Sequence, residues 1–521
     1  MTNPILHFYK SPRSFHFQSP LLTTAITSMA NSLLLLSLSL SFLFLFHGCV
    51  AQLELQQQRY WQSLQQFQQH RLRAKTECQV QQLTARQPSY RLESEAGLTE
   101  FWDANNEEFQ CAGIEFVRHT IQPRGLLLPY YTNAPQLVYI VQGHGIQGTV
   151  IPGCAETYES ESGFGSTGEE EGRQRTDRHQ KLRRFRRGDV LALREGVTHW
   201  AYNDGDTPII SVAIRDVANE ANQLDLKFRK FFLAGNPETA QRQGQQEREQ
   251  GPRGEGRRGQ DERQERNNIF SGFNEEFLAE SFNIDPQLVR RLQSKEDNRG
   301  IIVRAERPLR LVLPEYGQEE QERQREQGRR GGGGYADGLE ETICSLKIRQ
   351  NLEHSAATHS YNPRGGRIST INSQTLPILS QLRLSAEKGV LYRNGITAPH
   401  WSTNSHSALY VTRGSARIQV VGHKGRSVLN EEVNEGQLVV VPQNFALAIR
   451  ASEQGFEYVT FRTNDNAMKS ELAGRLSAIR AMPDEVVMNA FGVSREDARN
   501  LKYNRDEATV FSPAGRSGGY A

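Results

Sequence analysis

The chain spells the same order of structural signals twice, about 270 residues apart, and a duplication of that length confines it to two copies of one domain. Gly97-Leu98-Thr99 is echoed by Gly366-Arg367-Ile368-Ser369, Pro129 by Pro399, and Tyr139-Ile-Val-Gln-Gly143 by Tyr410-Val-Thr-Arg-Gly414. From Gly97 the text consists of short β-branched and aromatic runs between turn signals, the pattern of an all-β sandwich or barrel. Leu137 to Val141, Gln147 to Ile151, Asp189 to Leu193 and Ile209 to Ile214 read as strands. Each copy is followed by a helical pair. In the first, Phe277, Leu278, Phe282, Ile284, Leu288, Val289 and Leu292 fall at helical spacing around Asp285-Pro286, a pair that can cap and start a second helix. In the second, Phe491, Val493 and Leu501 match Phe282, Ile284 and Leu292, with helix starts at Pro483-Asp484 and Ser494.

The expected organisation is mainly β, alternating barrel and helical arm. Residues 1–51 are a leader, 52–87 a Gln-rich lead-in, 88–240 the first barrel, 241–268 a disordered polar linker and 269–316 the first arm. Residues 317–337 form a mobile loop, 338–470 the second barrel, 471–505 the second arm and 506–521 a disordered tail. Each arm projects an apolar face that needs a partner, so ring-like self-association is expected. The 156–180 insert, rich in Glu, Gly, Ser and Arg, reads as an exposed loop.

Between the copies a Gln/Glu/Arg-rich run ends in Gly331 to Gly334, a backbone that a protease can bind in extended form. From Gly338 onward the chain holds 21 basic and 17 acidic residues, about +4. Residues 1–51 carry about +2, and the whole chain only +2, which leaves about −4 for residues 52–337. An acidic piece and a basic piece meet at this joint.

The apolar run Leu33 to Phe46 is short for a membrane span and suits a secretory leader, with small residues Cys49 and Ala51 placing the cleavage between Ala51 and Gln52; Met29 is a second candidate start. That leaves Cys78, Cys111, Cys154 and Cys344, an even number for an oxidising compartment, for which three pairings are open. No CxxC spacing supports a metal-thiolate or thioredoxin-like site. Polar residues 241–268 nearly cancel their own charge and lack stacking aromatics, which argues against nucleic acid. No membrane partner is expected for the mature chain.

Catalytic signatures are missing or misplaced. There is no Gly-x4-Gly-Lys-Ser/Thr loop and no His-Glu-x-x-His, and the Gly-x-Ser-x-Gly match at Gly515 to Gly519 lies in the tail. Gly143 to Gly148 spells a nucleotide fingerprint but lies between strands, with no helix to receive a phosphate. Gly188, Arg194, Gly196, His199 and Asn203 resemble the second cupin motif, and Gly436, Pro442, Asn444 and Leu447 follow it more loosely. Enzymatic cupins close a metal site with three histidines and a glutamate. Here Pro129 to Pro135 lacks histidine, so His199 stands alone. In the second copy His400, Ser402 and Ser407 fall at the motif-one ligand positions, and Leu447 replaces the motif-two histidine. One imidazole per barrel does not hold a catalytic metal. No cofactor is therefore expected, and His199, His400 and His406 read as packing or hydrogen-bonded residues.

From about Cys78 to Arg505 the chain resembles the legumin-type 11S seed storage globulins, which are double cupins with two jelly-roll barrels. The resemblance rests on Ser94-Glu-Ala-Gly-Leu-Thr-Glu-Phe-Trp-Asp, Asp177-Arg-His-Gln-Lys, Asp216-Val-Ala-Asn-Glu-Ala-Asn-Gln-Leu-Asp, Gly338-Leu-Glu-Glu-Thr-Ile-Cys and Ala398-Pro-His-Trp. It implies a nutrient reservoir without catalysis, carried through the secretory pathway to the protein storage vacuole of the seed. It further implies trimers, a cut by an asparaginyl endopeptidase before Gly338, and hexamers after the cut. Members of the family are often food allergens. Carried over residue by residue, Cys78 pairs with Cys111, and Cys154 bridges to Cys344 across the cut. The chain departs from the family at Asp337, where the usual residue is Asn, which implies slower processing or processing confined to an acidic compartment. Nitrogen-rich Gln and Arg concentrated in loops suit a reserve that is dismantled from its inserts. The competing reading is a metal-dependent cupin enzyme or small-ligand-binding cupin that keeps His199 or His400 in use.

Overall fold

Strand Ile114–Ile121 shows how these runs become sheet: its residues alternate between two faces, and both faces meet protein. In the computed structural model, the described residues are 78, 80–156, 158–159, 178–235, 268–293, 297–309, 311, 344 and 346–513. The proposed leader cleavage at Ala51 and Gln52, the glycine run, Asp337, Gly338, most of the two polar inserts and the end of the tail lie outside them.

The first copy is two facing antiparallel sheets. One contains Ile114–Ile121, Ile209–Asp216, Gln136–Gln142 and Asp189–Leu193 as neighbours, and the other contains Gly125–Thr132, Thr198–Tyr202 and His144–Val150. The first jelly roll is thus a pair of facing sheets rather than a closed barrel. In the second copy, Ser407–Val421 and Ala446–Arg462 are long enough to run through both layers and join them in one sheet. The matching strands of the first copy are interrupted, at Gly143 and over residues 203–208.

Alternate residues of the central strands face opposite cores. Leu137, Tyr139, Val190, Val212 and Ile214 pack in one cluster with Ala408, Tyr410, Val440 and Phe461 of the second copy. Ile140, Leu191 and Ile209 face the interior of the first sandwich. Phe116 holds the seam between copies, with its ring 5.8 Å from both Tyr410 and Phe461. Gly188 and Gly436 open the motif-two turns of the two copies with φ of 84° and 82°, a conformation that a side chain disfavours.

The arms are helices Glu275–Phe282 and Pro286–Gln293, then Asp484–Phe491 and Arg495–Tyr503. Asn274 caps the first helix by accepting from the Glu276 and Phe277 amides, and Asp285 Oδ1 accepts from the Gln287 amide at 2.7 Å. Leu278 and Val289 are buried, as are their counterparts Val487 and Ala498.

Three expected boundaries are corrected. Within the lead-in, Leu83 and Ala85 are buried in the second copy's core, and Arg86 exchanges backbone hydrogen bonds with Leu438 at 2.9 Å. Asn268 belongs to the arm, not the linker: its buried amide donates to the Gly235, Leu292 and Gln293 carbonyls. Val510–Phe511, read as tail, is a buried strand paired with Ile396–Thr397, just as Ile302–Arg304 returns from the first arm to Gly125–Thr132. In the first and third cases two apolar residues amid polar text find a sheet edge, which local composition does not reveal.

Candidate functional site

The interior of each sandwich is where a cupin would hold a metal, and strand register aligns the two interiors residue by residue. His199 pairs across strands with Tyr130, and Leu447 with His400. Each copy therefore keeps one imidazole, on opposite members of the same pair. His199 is buried, with its ring 4.2 Å from that of Tyr130. Its Nδ1 donates to the Val197 carbonyl at 3.1 Å, and its Nε2 receives the Gln136 amide at 3.5 Å. Gln136 Oε1 in turn accepts from Arg215 Nε at 3.3 Å. This chain fixes a neutral tautomer, and burial lowers the His199 pKa to about 4.

In the second copy a built-in cation fills the metal's role. Arg462 Nη1 donates to Ser402 Oγ at 2.7 Å and to Ser407 Oγ at 3.0 Å, two of the three motif-one positions. Its Nη2 reaches Glu387 Oε2 at 3.3 Å, and Lys469 Nζ donates to the same oxygen at 2.7 Å. Burial alone would raise the Glu387 carboxyl, but the Lys469 and Arg462 charges hold it at about 2. His400 donates Nδ1 to the Ala398 carbonyl at 2.8 Å. Burial and the Lys469 charge push it down to about 3. His406 instead turns its Nδ1 to the Gln443 amide at 3.2 Å. A transition metal does not fit this donor set: Lys469 and Arg462 repel a cation and already occupy the Glu387 carboxylate, leaving two hydroxyls and one imidazole. Among the described residues, no group of three His, Cys, Asp or Glu side chains is placed to hold a metal.

Sequence reasoning missed these cations. Arg215 and Arg462 lie opposite Gln136 and Ser407, and Lys230 and Lys469 lie opposite Thr132 and Ser402, so the Arg–Lys pair is itself duplicated. The signal was an apolar strand closing on arginine in both copies.

The joint is the second feature. A disulfide links Cys154, just past strand His144–Val150, to Cys344, and another links Cys78 to Cys111 in helix Glu107–Ala112. Beyond Cys344, strand Arg349–Asn351 pairs with Asp189–Leu193 of the first copy. Arg349 Nη1 and Asn351 Nδ2 both bind the Asp189 carboxylate, at 3.1 and 2.8 Å. Ile348 and Leu352 are buried beside this strand.

The family model described as Cupin matches residues 83–239 and 351–499, one match per copy. The 11S globulin of Juglans nigra is 51% identical over 459 residues, spanning 83% of this chain and 90% of that one. The chain belongs to the legumin-type 11S seed storage globulins. The 11S globulin subunit beta of Cucurbita maxima is 47% identical over 473 residues, 91% of this chain and 96% of that one. The crystal structure of pumpkin seed globulin superposes with a TM-score of 0.71 at 45% identity, covering 84% of this chain and all of that one. This 11S globulin is thus a double cupin that stores rather than catalyses, and its interiors are built accordingly.

Proposed function

We propose that this 11S globulin is synthesised as a secretory precursor, cut in the protein storage vacuole of the seed, and stored as an oligomer of disulfide-linked acidic and basic chains. The leader ends between Ala51 and Gln52. An asparaginyl endopeptidase cuts after Asp337, so the basic chain begins at Gly338. Trimers form first through the arms, and the cut lets two trimers join as a hexamer. The observation that carries this reading is the double tie across the joint: the Cys154–Cys344 bridge and the strand Arg349–Asn351 laid on the first copy's sheet. Both ties join the first copy to residues on the far side of Asp337, so a cut there leaves the chains attached.

Self-assembly is supported by the arms, which leave Phe277, Phe282, Val486, Phe491 and Leu501 exposed beside their buried rows. Non-reducing and reducing gels of protein from seed test the proposal, with N-terminal sequencing of the products. One band should split into a larger and a smaller chain on reduction, the smaller starting at Gly338. A single chain under both conditions would mean that Asp337 blocks the cut.

A further inference from the structure

The duplicated cation pair is balanced differently in the two copies. In the second, the Glu387 carboxylate bridges Lys469 and Arg462. Register gives its counterpart in the first copy: Ser385 pairs with Arg462 as Glu115 pairs with Arg215, so Glu387 falls where the first copy has Val117. Val117 is fully buried and cannot accept a hydrogen bond.

The cations it should bridge are short of partners. Lys230 Nζ and Arg215 Nη2 are both buried without a hydrogen-bond acceptor. Arg215 is 1% exposed. Lys230 Nζ lies over the rings of Tyr130, at 4.6 Å, and Phe232, at 5.8 Å. Arg215 stacks on Phe228 at 4.2 Å. The carboxylate nearby, Glu115, stands 3.8 Å from Arg215 Nη1 and spends its other oxygen on the Phe228 amide at 3.3 Å. Two buried cations thus face one loosely engaged carboxylate, an arrangement that is unfavourable unless an anion completes it. Burial and the Arg215 charge push the Lys230 ammonium well below the usual lysine range, as expected where a counter-ion is missing.

We propose that the first sandwich binds a small carboxylate anion, of formate or acetate size, between Lys230 Nζ and Arg215 Nη2, in place of the tethered carboxylate that Glu387 supplies in the second. Two oxygens on one carbon suit two donors, one from each of the two sheets of the sandwich, with the rest of the anion toward Val117. A cavity of about 50 Å³, lined by His119, Tyr130, Gln136 and His199 among apolar residues, lies one side chain away. It gives Tyr130 and Gln136 room to shift as the anion enters. The site makes no demand on catalysis and is independent of the storage reading.

The test is thermal unfolding of the purified disulfide-linked protein in sodium acetate against sodium chloride at matched ionic strength and fixed pH, with 13C-acetate line broadening as a second readout. Wild type should gain a concentration-dependent rise in midpoint and broaden the acetate signal. Val117→Glu, which restores a tethered carboxylate, should abolish both responses. Lys230→Met, which removes a buried charge and so keeps the fold, should abolish both as well. An equal rise in chloride would overturn the carboxylate assignment. No rise in wild type, or an undiminished one in Lys230→Met, would overturn the site.

Discussion

An imidazole held neutral by burial couples stability to acidity. The His199 pKa is about 4 in the folded chain, against about 6.5 when exposed. Between those values the unfolded chain takes up a proton that the folded chain refuses, so stability is full above about pH 6.5 and declines as pH falls toward 4. The shift sets a ceiling of about 3 kcal/mol for this residue. His199→Gln should flatten the decline, read as urea midpoints from pH 7.5 to 4; parallel curves for variant and wild type would refute the assignment. Glu387 acts lower: its stabilising charge is present above about pH 4.5 and is lost as pH falls toward 2. Arg462→Met would leave Glu387 to Lys469 alone and strip Ser402 and Ser407 of their donor, for a loss of about 3–5 kcal/mol in the same assay. The histidines could be found from sequence because cupin spacing marks them. The four cations were less legible, because an arginine or lysine near either end of a strand looks like a solvated edge until the opposing strand's register is known.

At the scale of elements, the arms carry the expectation of assembly. Leu278 with Val289, and Val487 with Ala498, face the body of each arm, whereas Phe282, Phe491 and Leu501 face outward. A charge on the outward row should spare the isolated chain, since these residues are already exposed. Phe491→Asp with Leu501→Asp should lower the sedimentation coefficient to that of the single chain while circular dichroism stays unchanged. Persistence of the oligomer would place the interface elsewhere. Asn274→Ala should cost about 1 kcal/mol by removing the cap. The helices were legible because seven apolar residues at helical spacing surround a capping pair. Val510–Phe511 was hidden as a lone apolar pair, yet it lies 209 residues beyond Ile301-Ile302, the offset that also relates Phe282 to Phe491. Carrying the duplication past the helices would have found the strand where composition did not.

At the scale of the molecule, each copy lends its leading segment to the other. Leu83 and Ala85 enter the second core while Arg86 pairs with Leu438, and Arg349–Asn351 pairs with the first copy's sheet. The seam between them is a continuous core from Phe116 to Phe461. The disulfide is therefore one tie among several after a cut at Asp337. In the uncut chain it closes a loop with a sequence separation of 190, worth about 5 kcal/mol in chain entropy. In the cut protein, reduction alone should leave the acidic and basic chains together, eluting as one species in gel filtration without denaturant. They should part only when urea opens the shared core, and at a lower concentration when reduced than when oxidised. If dithiothreitol in native buffer separated them, the bridge would be the main tie, and the exchanged strands would be too weak to hold a processed protein through long storage.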